Sequence, residues 1–340
     1  MATVNLKRLA TELNLSVSTV SKALMNSHEI SAETKERVLL LARQLNYVPN
    51  PYASSLRRKM SKTIAVVIPE VADSFFSIAI NGIEAVAQDK GYHVLIYLTH
   101  ESFEKEKAIL NDFQSGRVDG VLMSVTSETI DTAPMRDLHA KGIPVIFFDR
   151  VCEEIETAKI TTNDFESGYK AAQHLVEGGC HRIAFLSFSK SLSISNKRME
   201  GYRQALADHA IAFNDSDLVY CTNDDASNHA LLKSLLQQEK HPDGIIASVE
   251  KLTTPVYLAC HQLKRAIPRD VQVISFSNLQ SALILNPALT TITQPAFDMG
   301  KTAAALLFRA LEKPGFNLKK ENHIIPSTLV PRDSTVSKKA

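Results

Sequence analysis

From Thr63 onward the chain repeats one pattern: a run of four to six apolar residues, then an amphipathic stretch of helical length. The runs are TIAVVI, HVLIYL, GVLMSV, PVIFFD, RIAFLS, GIIAS and VQVISF. Amphipathic segments fall near residues 75–90, 102–115, 134–141, 166–177, 196–209, 226–238, 255–263 and 299–311. A strand with water on one face alternates apolar and polar residues, whereas an unbroken run is covered on both faces. The intervening helices supply that cover, so the pattern implies parallel sheets wrapped by helices. Roughly ten such strands are too many for one small sheet, and the expectation is two doubly wound subdomains.

The first 62 residues carry ten Lys and Arg against four Glu, a net +6 on a chain whose total is +1. A basic head on a mildly acidic body points to a polyanion bound at one end only. Leu6, Leu9, Ala10 and Leu13 recur at helical spacing, with Lys7, Arg8 and Glu12 outward. Asn14, Leu15 and Ser16 interrupt that helix, and Ser16 suits the N-cap of a second, in which Val20, Ala23 and Leu24 face inward. Val17, Ser18, Ser21 and Lys22 are left on the outer face. Two short helices across a tight turn, the second with a small polar and basic outer face, make a helix-turn-helix that presents a recognition helix to a major groove. Ser31 caps a third helix, in which Val38, Leu41, Ala42 and Leu45 close a three-helix core. The stretch Tyr52–Arg58 is too short to persist alone as a helix, since isolated helices below about 12 residues are marginal. Its Arg57 and Arg58, with Lys59 and Lys62, suit a phosphate backbone.

Other classes find little support. At 340 residues, with 44% hydrophobic and 22% charged, the chain has room for two or three domains of ordinary globular composition. Cys152, Cys180, Cys221 and Cys260 lie far apart without zinc spacing, and read as reduced thiols of a cytoplasmic protein. The start, MATVNLKRL, holds no apolar export segment, and no run approaches the ~18 residues that span a bilayer. Neither a membrane partner nor a cofactor is expected. No GxGxxG, Walker loop, GxSxG or HExxH occurs, and the eleven His show no metal-ligand spacing. No catalytic or metal-binding residue is therefore assigned.

Four motifs in order carry a resemblance. They are LSVSTVSKALMN (15–26), SAETKERV (31–38), LNYVPN (Leu45–Asn50) and ASSL (Ala53–Leu56). In sequence and spacing they resemble the LacI/GalR family of bacterial transcriptional regulators, and the likeness runs to about Arg332. The resemblance implies an N-terminal all-α helix-turn-helix domain followed by an α/β periplasmic-binding-protein-like body of two doubly wound parallel-sheet subdomains. The expected limits are 1–49 for the DNA-binding domain, 50–61 for a hinge helix and linker, and 62–335 for the body. Crossings between the subdomains near Ile160–Asn163, Thr290–Thr293 and Ile325–Ser327 would divide the body into 62–161 with 292–325, and 162–291 with 326–335. The resemblance also implies operator contacts from Ser16, Val17, Ser18, Thr19, Ser21, Lys22, Asn26, Tyr47, Asn50, Ala53, Leu56 and Arg57, with Leu56 a wedge in the minor groove.

A small-molecule effector would lie in the cleft between the subdomains, at the carboxyl ends of the strands. Phe75 and Phe76 stand where relatives touch the effector, although a Phe pair opening a helix equally suits core packing. Asp149 matches a family acid at a strand end. Arg198, in RMEGY, matches a ligand-binding arginine, although it could instead pair with a carboxylate. The chain departs from the family at VEKLTTPV (Val249–Val256) and at SFSN (Ser275–Asn278), where Ser277 replaces an acid. Asn223 and Leu192 stand where purine-binding members place an aromatic and a second arginine, which disfavours a purine. Asp149, Arg198, Asn223, Ser277 and Asn278, with Glu250, suit a neutral hydroxylated ligand. The reading is a homodimeric repressor on a pseudo-palindromic operator, controlled by a sugar-like molecule. Its rivals are a regulator with a degenerate pocket or a protein partner, and a solute-binding protein of the same body fold, which residues 1–60 argue against.

Overall fold

The computed structural model describes residues 5–47 and 60–336, in two units divided between Ser61 and Lys62. Among the described residues the first unit holds α1 (Leu6–Leu13), α2 (Val17–Leu24) and α3 (Ala32–Gln44). A polar side chain starts each helix: Asn5, Ser16 and Ser31 accept from the backbone N–H of Arg8, Thr19 and Thr34 respectively. Asn14 ends α1 in the left-handed conformation, φ 53°, and lets the Leu15 N–H reach back to the Ala10 carbonyl at 2.9 Å. That one residue turns the chain into α2. Leu9, Ala10, Val20, Ala23, Val38 and Ala42 fill the centre, with Leu41, Leu45 and Tyr47 at its margin. The expected hinge helix, with Asn50, Ala53, Leu56 and Arg57, lies outside the described residues.

The second unit opens with β1 (Thr63–Ile68), α4 (Ser74–Asp89), β2 (His93–Leu98), α5 (Phe103–Phe113), β3 (Gly120–Met123), α6 (Ala133–Ala140), β4 (Val145–Phe148) and β5 (Lys159–Thr161). It continues through α7 (Asp164–Glu177), β6 (Ile183–Ser187), α8 (Ser193–Asp208), β7 (Leu218–Tyr220), α9 (Asp225–Gln237), β8 (Gly244–Ala247), α10 (Thr253–Gln262), β9 (Gln272–Phe276) and β10 (Thr290–Thr293). It closes with α11 (Ala296–Glu312), β11 (Asn322–Ile324) and β12 (Thr328–Val330). Two sheets result, ordered β11-β5-β4-β3-β1-β2 and β12-β10-β9-β8-β6-β7. Among the described residues every pairing is parallel except β12, which runs antiparallel to β10. Each sheet is covered on both faces, as the unbroken apolar runs require. The chain passes from one sheet to the other after β5, after β10 and between β11 and β12. β10 stays paired with β9 at Ile292 and with β12 at Thr293. The second passage therefore falls at Gln294–Pro295, beyond the expected limit at residue 292. β2 differs from its reading as a buried run: it is an edge strand, and Leu95 and Ile96 are exposed.

Each subdomain brings two helices into backbone contact through a reciprocal pair of glycines. A Cβ on Gly82 of α4 would stand 2.1 Å from the Phe297 carbonyl oxygen, and one on Gly300 of α11 would stand 2.0 Å from that of Ala79. Across α7 and α8 the same distances are 2.0 Å from Gly168 to the Arg198 oxygen and 2.0 Å from Gly201 to the Phe165 oxygen. The obstructing atoms are backbone, so no rotamer change relieves them. Gly168→Ala and Gly300→Ala should each lower stability by ~1–3 kcal/mol, the usual cost of overpacking, seen as an earlier urea midpoint. An unchanged midpoint would mean that the helices do not pack this closely.

Candidate functional site

In the first unit the core uses one side of α2 and leaves the other to solvent. Val17, Ser18 and Lys22 are exposed on it, as is Asn26 just past its end, held at φ 55°. Thr19 is half-buried and Ser16 is engaged as the cap. Ser21 corrects the expectation of an outward face: it is buried, with only 8% of its surface exposed. α2 packs against both α1 and α3. The covered arc therefore extends one position past Val20, and a side chain as small as serine fits there. Tyr47 lies at the core margin, where burial pushes its hydroxyl up from the usual value. The ammonium of Lys22 is bonded to Glu29, and both side chains are about half exposed. Such a pair contributes ~0–1 kcal/mol, so phosphate or a base edge can take the lysine from it.

In the second unit the loops at the carboxyl ends of both sheets meet. The helix-opening residues Asp73, Phe75 and Phe76 follow β1, Asp149 and Arg150 follow β4, and Leu192, Ile194, Ser195 and Arg198 lie on and before the start of α8. Val249 and Glu250 follow β8, Ser277 and Asn278 follow β9, and Gln294 follows β10. The cavity among them is about 30 Å³. A second of about 190 Å³ adjoins it; Asp73, Phe76, Arg150, Val249 and Glu250 line both.

Seven of the eight expected effector residues converge here, and Asn223 does not. It is exposed and accepts a hydrogen bond from Lys251 Nζ at 2.6 Å, because the loop after β7 sits at the far edge of its sheet. Phe75 and Phe76 line the cavity and also belong to the core, packed edge to face at 5.4 Å. Arg198 lines the cavity and pairs with a carboxylate. Its Nε donates to Asp164 Oδ1 at 2.8 Å, its Nη1 to the Ser248 carbonyl at 2.7 Å, and the guanidinium lies 4.0 Å over the Phe276 ring. Its buried Nη2 has no hydrogen-bond partner among the described residues, although buried donors are nearly always satisfied. Glu250, Ser277 and Asn278 are bonded to one another: the Glu250 carboxylate accepts from Ser277 Oγ at 2.7 Å and from the Asn278 N–H at 3.0 Å.

Carboxylates crowd the cleft. Burial pushes Asp73 up to about 6, and neighbouring Glu250 adds to the effect. Burial also raises Asp149 and Asp164, against the pull of nearby guanidiniums, that of Arg198 acting on both. Asp149 stands at φ 62° and accepts from Gln294 Nε2 at 3.1 Å. Burial would also raise Glu101, but Arg150 Nη1 at 2.6 Å and the Ser127 N–H at 2.8 Å together outweigh it and hold this carboxyl below its usual range. Sequence reasoning missed Asp73, Arg150, Asp164 and Gln294. Asp73 had a signal, as an Asp in N-cap position before Ser-Phe-Phe; the others gain their place only from contacts far apart in the chain. Among the described residues there is no cluster of three or more potential metal ligands, and no helix is long and apolar enough to cross a membrane.

Residues 5–50 match the family model "Bacterial regulatory proteins, lacI family", and residues 172–335 match "Periplasmic binding protein-like domain". The ribose operon repressor of Halalkalibacterium halodurans is 30% identical over 334 residues, covering 97% of this chain and 96% of that one. Among solved structures, the lac repressor dimer bound to operator and the anti-inducer ONPF shares the fold at a TM-score of 0.83, with 22% identity and coverage of 98% and 99% of the two chains. A LacI-family transcriptional regulator from Enterococcus faecium with bound ribose aligns at a TM-score of 0.72, with 26% identity and coverage of 82% and 100%.

Breaking a buried ion pair strands the remaining charge, at a cost of ~3–5 kcal/mol. Arg198→Ala should therefore destabilise the body by about that much, while Arg198→Ala combined with Asp164→Ala should recover part of the loss. The check is a double-mutant cycle by chemical denaturation, and strictly additive effects would contradict the pairing.

Proposed function

The chain belongs to the lacI family of bacterial regulatory proteins, and we propose that it is a transcriptional repressor that reads a pseudo-palindromic operator as a homodimer and answers to a small sugar-like molecule in the cleft. The observation that carries the DNA-reading part is the outer face of α2, where Val17, Ser18 and Lys22 stand exposed on the second helix of a capped helix-turn-helix. Val17 suits a thymine methyl, and Lys22 suits guanine O6 and N7. This activity is exercised on cytoplasmic DNA and includes no catalytic step. Arg198 Nη2 and Asp149 are the groups with which the cleft would hold ligand hydroxyls. The ribose-bound relative supports a sugar as the ligand class.

Dimerisation has its own support. Leu95 and Ile96 lie bare on the edge strand of one subdomain, while Leu283, 67% exposed, and Ile284, 82% exposed, lie bare on the other. Leu258, Tyr257, Leu285 and Pro287 line an open groove of about 600 Å³ on that second subdomain. Apolar surface of this kind on both subdomains suits cover by a second copy. Two heads on a two-fold axis then meet two inverted half-sites.

Two experiments test the reading. Selection from a random duplex library should yield one inverted repeat; Lys22→Ala should cost ~1–3 kcal/mol on it and relax one base position in each half-site, whereas Glu29→Ala should cost nothing. Unchanged base preference in Lys22→Ala would reject the assignment. Light scattering should give twice the chain mass of 37.5 kDa, and Leu283→Glu with Ile284→Glu should return it to one chain. A dimer that survives both substitutions would place the interface elsewhere.

A further inference from the structure

The Glu250 carboxylate is held from both sides of the cleft. It follows β8 in the second subdomain, where Ser277 Oγ donates to it at 2.7 Å and the Asn278 N–H at 3.0 Å. From the first subdomain, the Ser74 N–H donates to its other oxygen at 3.0 Å, and the Ser74 hydroxyl donates to the same oxygen as Ser277 and Asn278. Two donors thus come from each subdomain to one side chain. Hydrogen bonds to an ionised acceptor are about twice as strong as neutral ones. Ser74 also opens α4, so the carboxylate sits at the positive end of a helix of 16 residues. Glu250 lines both lobes of the cleft, the inner of about 30 Å³ and the outer of about 190 Å³. The inner lobe holds about one water, and no sugar enters it unless these side chains move.

We infer that Glu250 is an internal ligand of the cleft, a carboxylate latch that ties the two subdomains together and that an effector must displace. The inference rests on the proposed sugar-responsive reading and specifies how its site is regulated. Displacement selects the ligand by chemistry. The guest must bring hydroxyl or ring oxygens to Ser74, Ser277 and Asn278 in place of the carboxylate. Beside the cradle any guest also meets Asp73, Asp149 and the displaced Glu250, with Arg150 paired to Glu101, Arg198 paired to Asp164 but with Nη2 unpaired among the described residues, and Lys251 lining the outer lobe. A guest therefore enters only if its own oxygens replace the bonds that Ser74, Ser277 and Asn278 make to Glu250.

Hydrogen exchange read by mass spectrometry, on the full chain and with D-ribose as the probe, tests this. In Glu250→Ala, peptides spanning Ser74 and Asn278 should exchange at least tenfold faster, while those of β1 and β6 keep their wild-type rates. Glu250→Gln, which keeps one acceptor oxygen, should fall between. By calorimetry, Glu250→Ala should bind D-ribose at least tenfold more tightly than the wild type. Wild-type exchange at both peptides in Glu250→Ala overturns the latch, and so does acceleration shared with every core peptide. Equal ribose affinity in wild type and Glu250→Ala overturns the displacement. If the two peptides accelerate and neither protein binds ribose, the latch stands and the sugar reading fails.

Discussion

The cleft is organised around the buried guanidinium of Arg198. One of its nitrogens holds Asp164, the first residue of α7, another holds the Ser248 carbonyl at the end of β8, and its plane rests on Phe276 of β9. Asp164 follows directly on the first passage between the subdomains, so the ion pair sets where the chain enters the second one. Desolvation offsets most of the Coulomb attraction of such a pair. What it contributes is position: an alternative packing of α7 on α8 would strand two charges in the interior. The glycine contact at Gly168, against the carbonyl of the same Arg198, fixes that packing from the backbone side.

The two subdomains solve one problem in the same way. In each, a glycine-mediated helix pair flanks the cleft, and one helix of the pair points its N-terminus into the cavity. α4 does so with Phe75 and Phe76, and α8 with Ile194 and Ser195. A helix N-terminus presents unpaired N–H groups and partial positive charge. That favours acceptor-rich guests and explains why acidic side chains gather there. Burial raises the carboxyls of both Asp73 and Asp149, and at Asp73 the neighbouring Glu250 and Asp149 add to it.

Most of the architecture could be read from the sequence because it rests on local pattern. Unbroken runs announced β1, β3, β4, β6, β8 and β9, and Ser16 and Ser31 announced two of the three helix starts among the described residues of the head. β5, β7, β11 and β12 have three residues each, too few for a period to register, and they exist because a neighbouring strand offers hydrogen bonds. The exposure of β2 was hidden for a related reason: whether an apolar strand is central or at the edge is decided by strand order. In the cleft, residues placed by strand ends were found, Asp149, Ser277 and Asn278 among them, whereas Asn223 was misplaced because β7 is an edge strand. Ser21 shows the limit in the head. A helix wheel gives the centre of the covered arc, and its width depends on how many neighbours the helix has.

The three passages between the sheets also govern the order in which the protein can be made. The core of the first subdomain needs Met299, Ala303, Leu307 and Phe308 from α11, and its sheet needs β11. A ribosome delivers those residues only after β6 to β10 have all been synthesised. The usual sequence, in which an N-terminal domain folds while the rest is still emerging, is closed to this half of the body. β1 to β5 must wait with one flank of the sheet bare, while five strands of the second sheet are already out. The first subdomain to begin is among the last parts to finish, and its exposed intermediate is where a chaperone would have most to do.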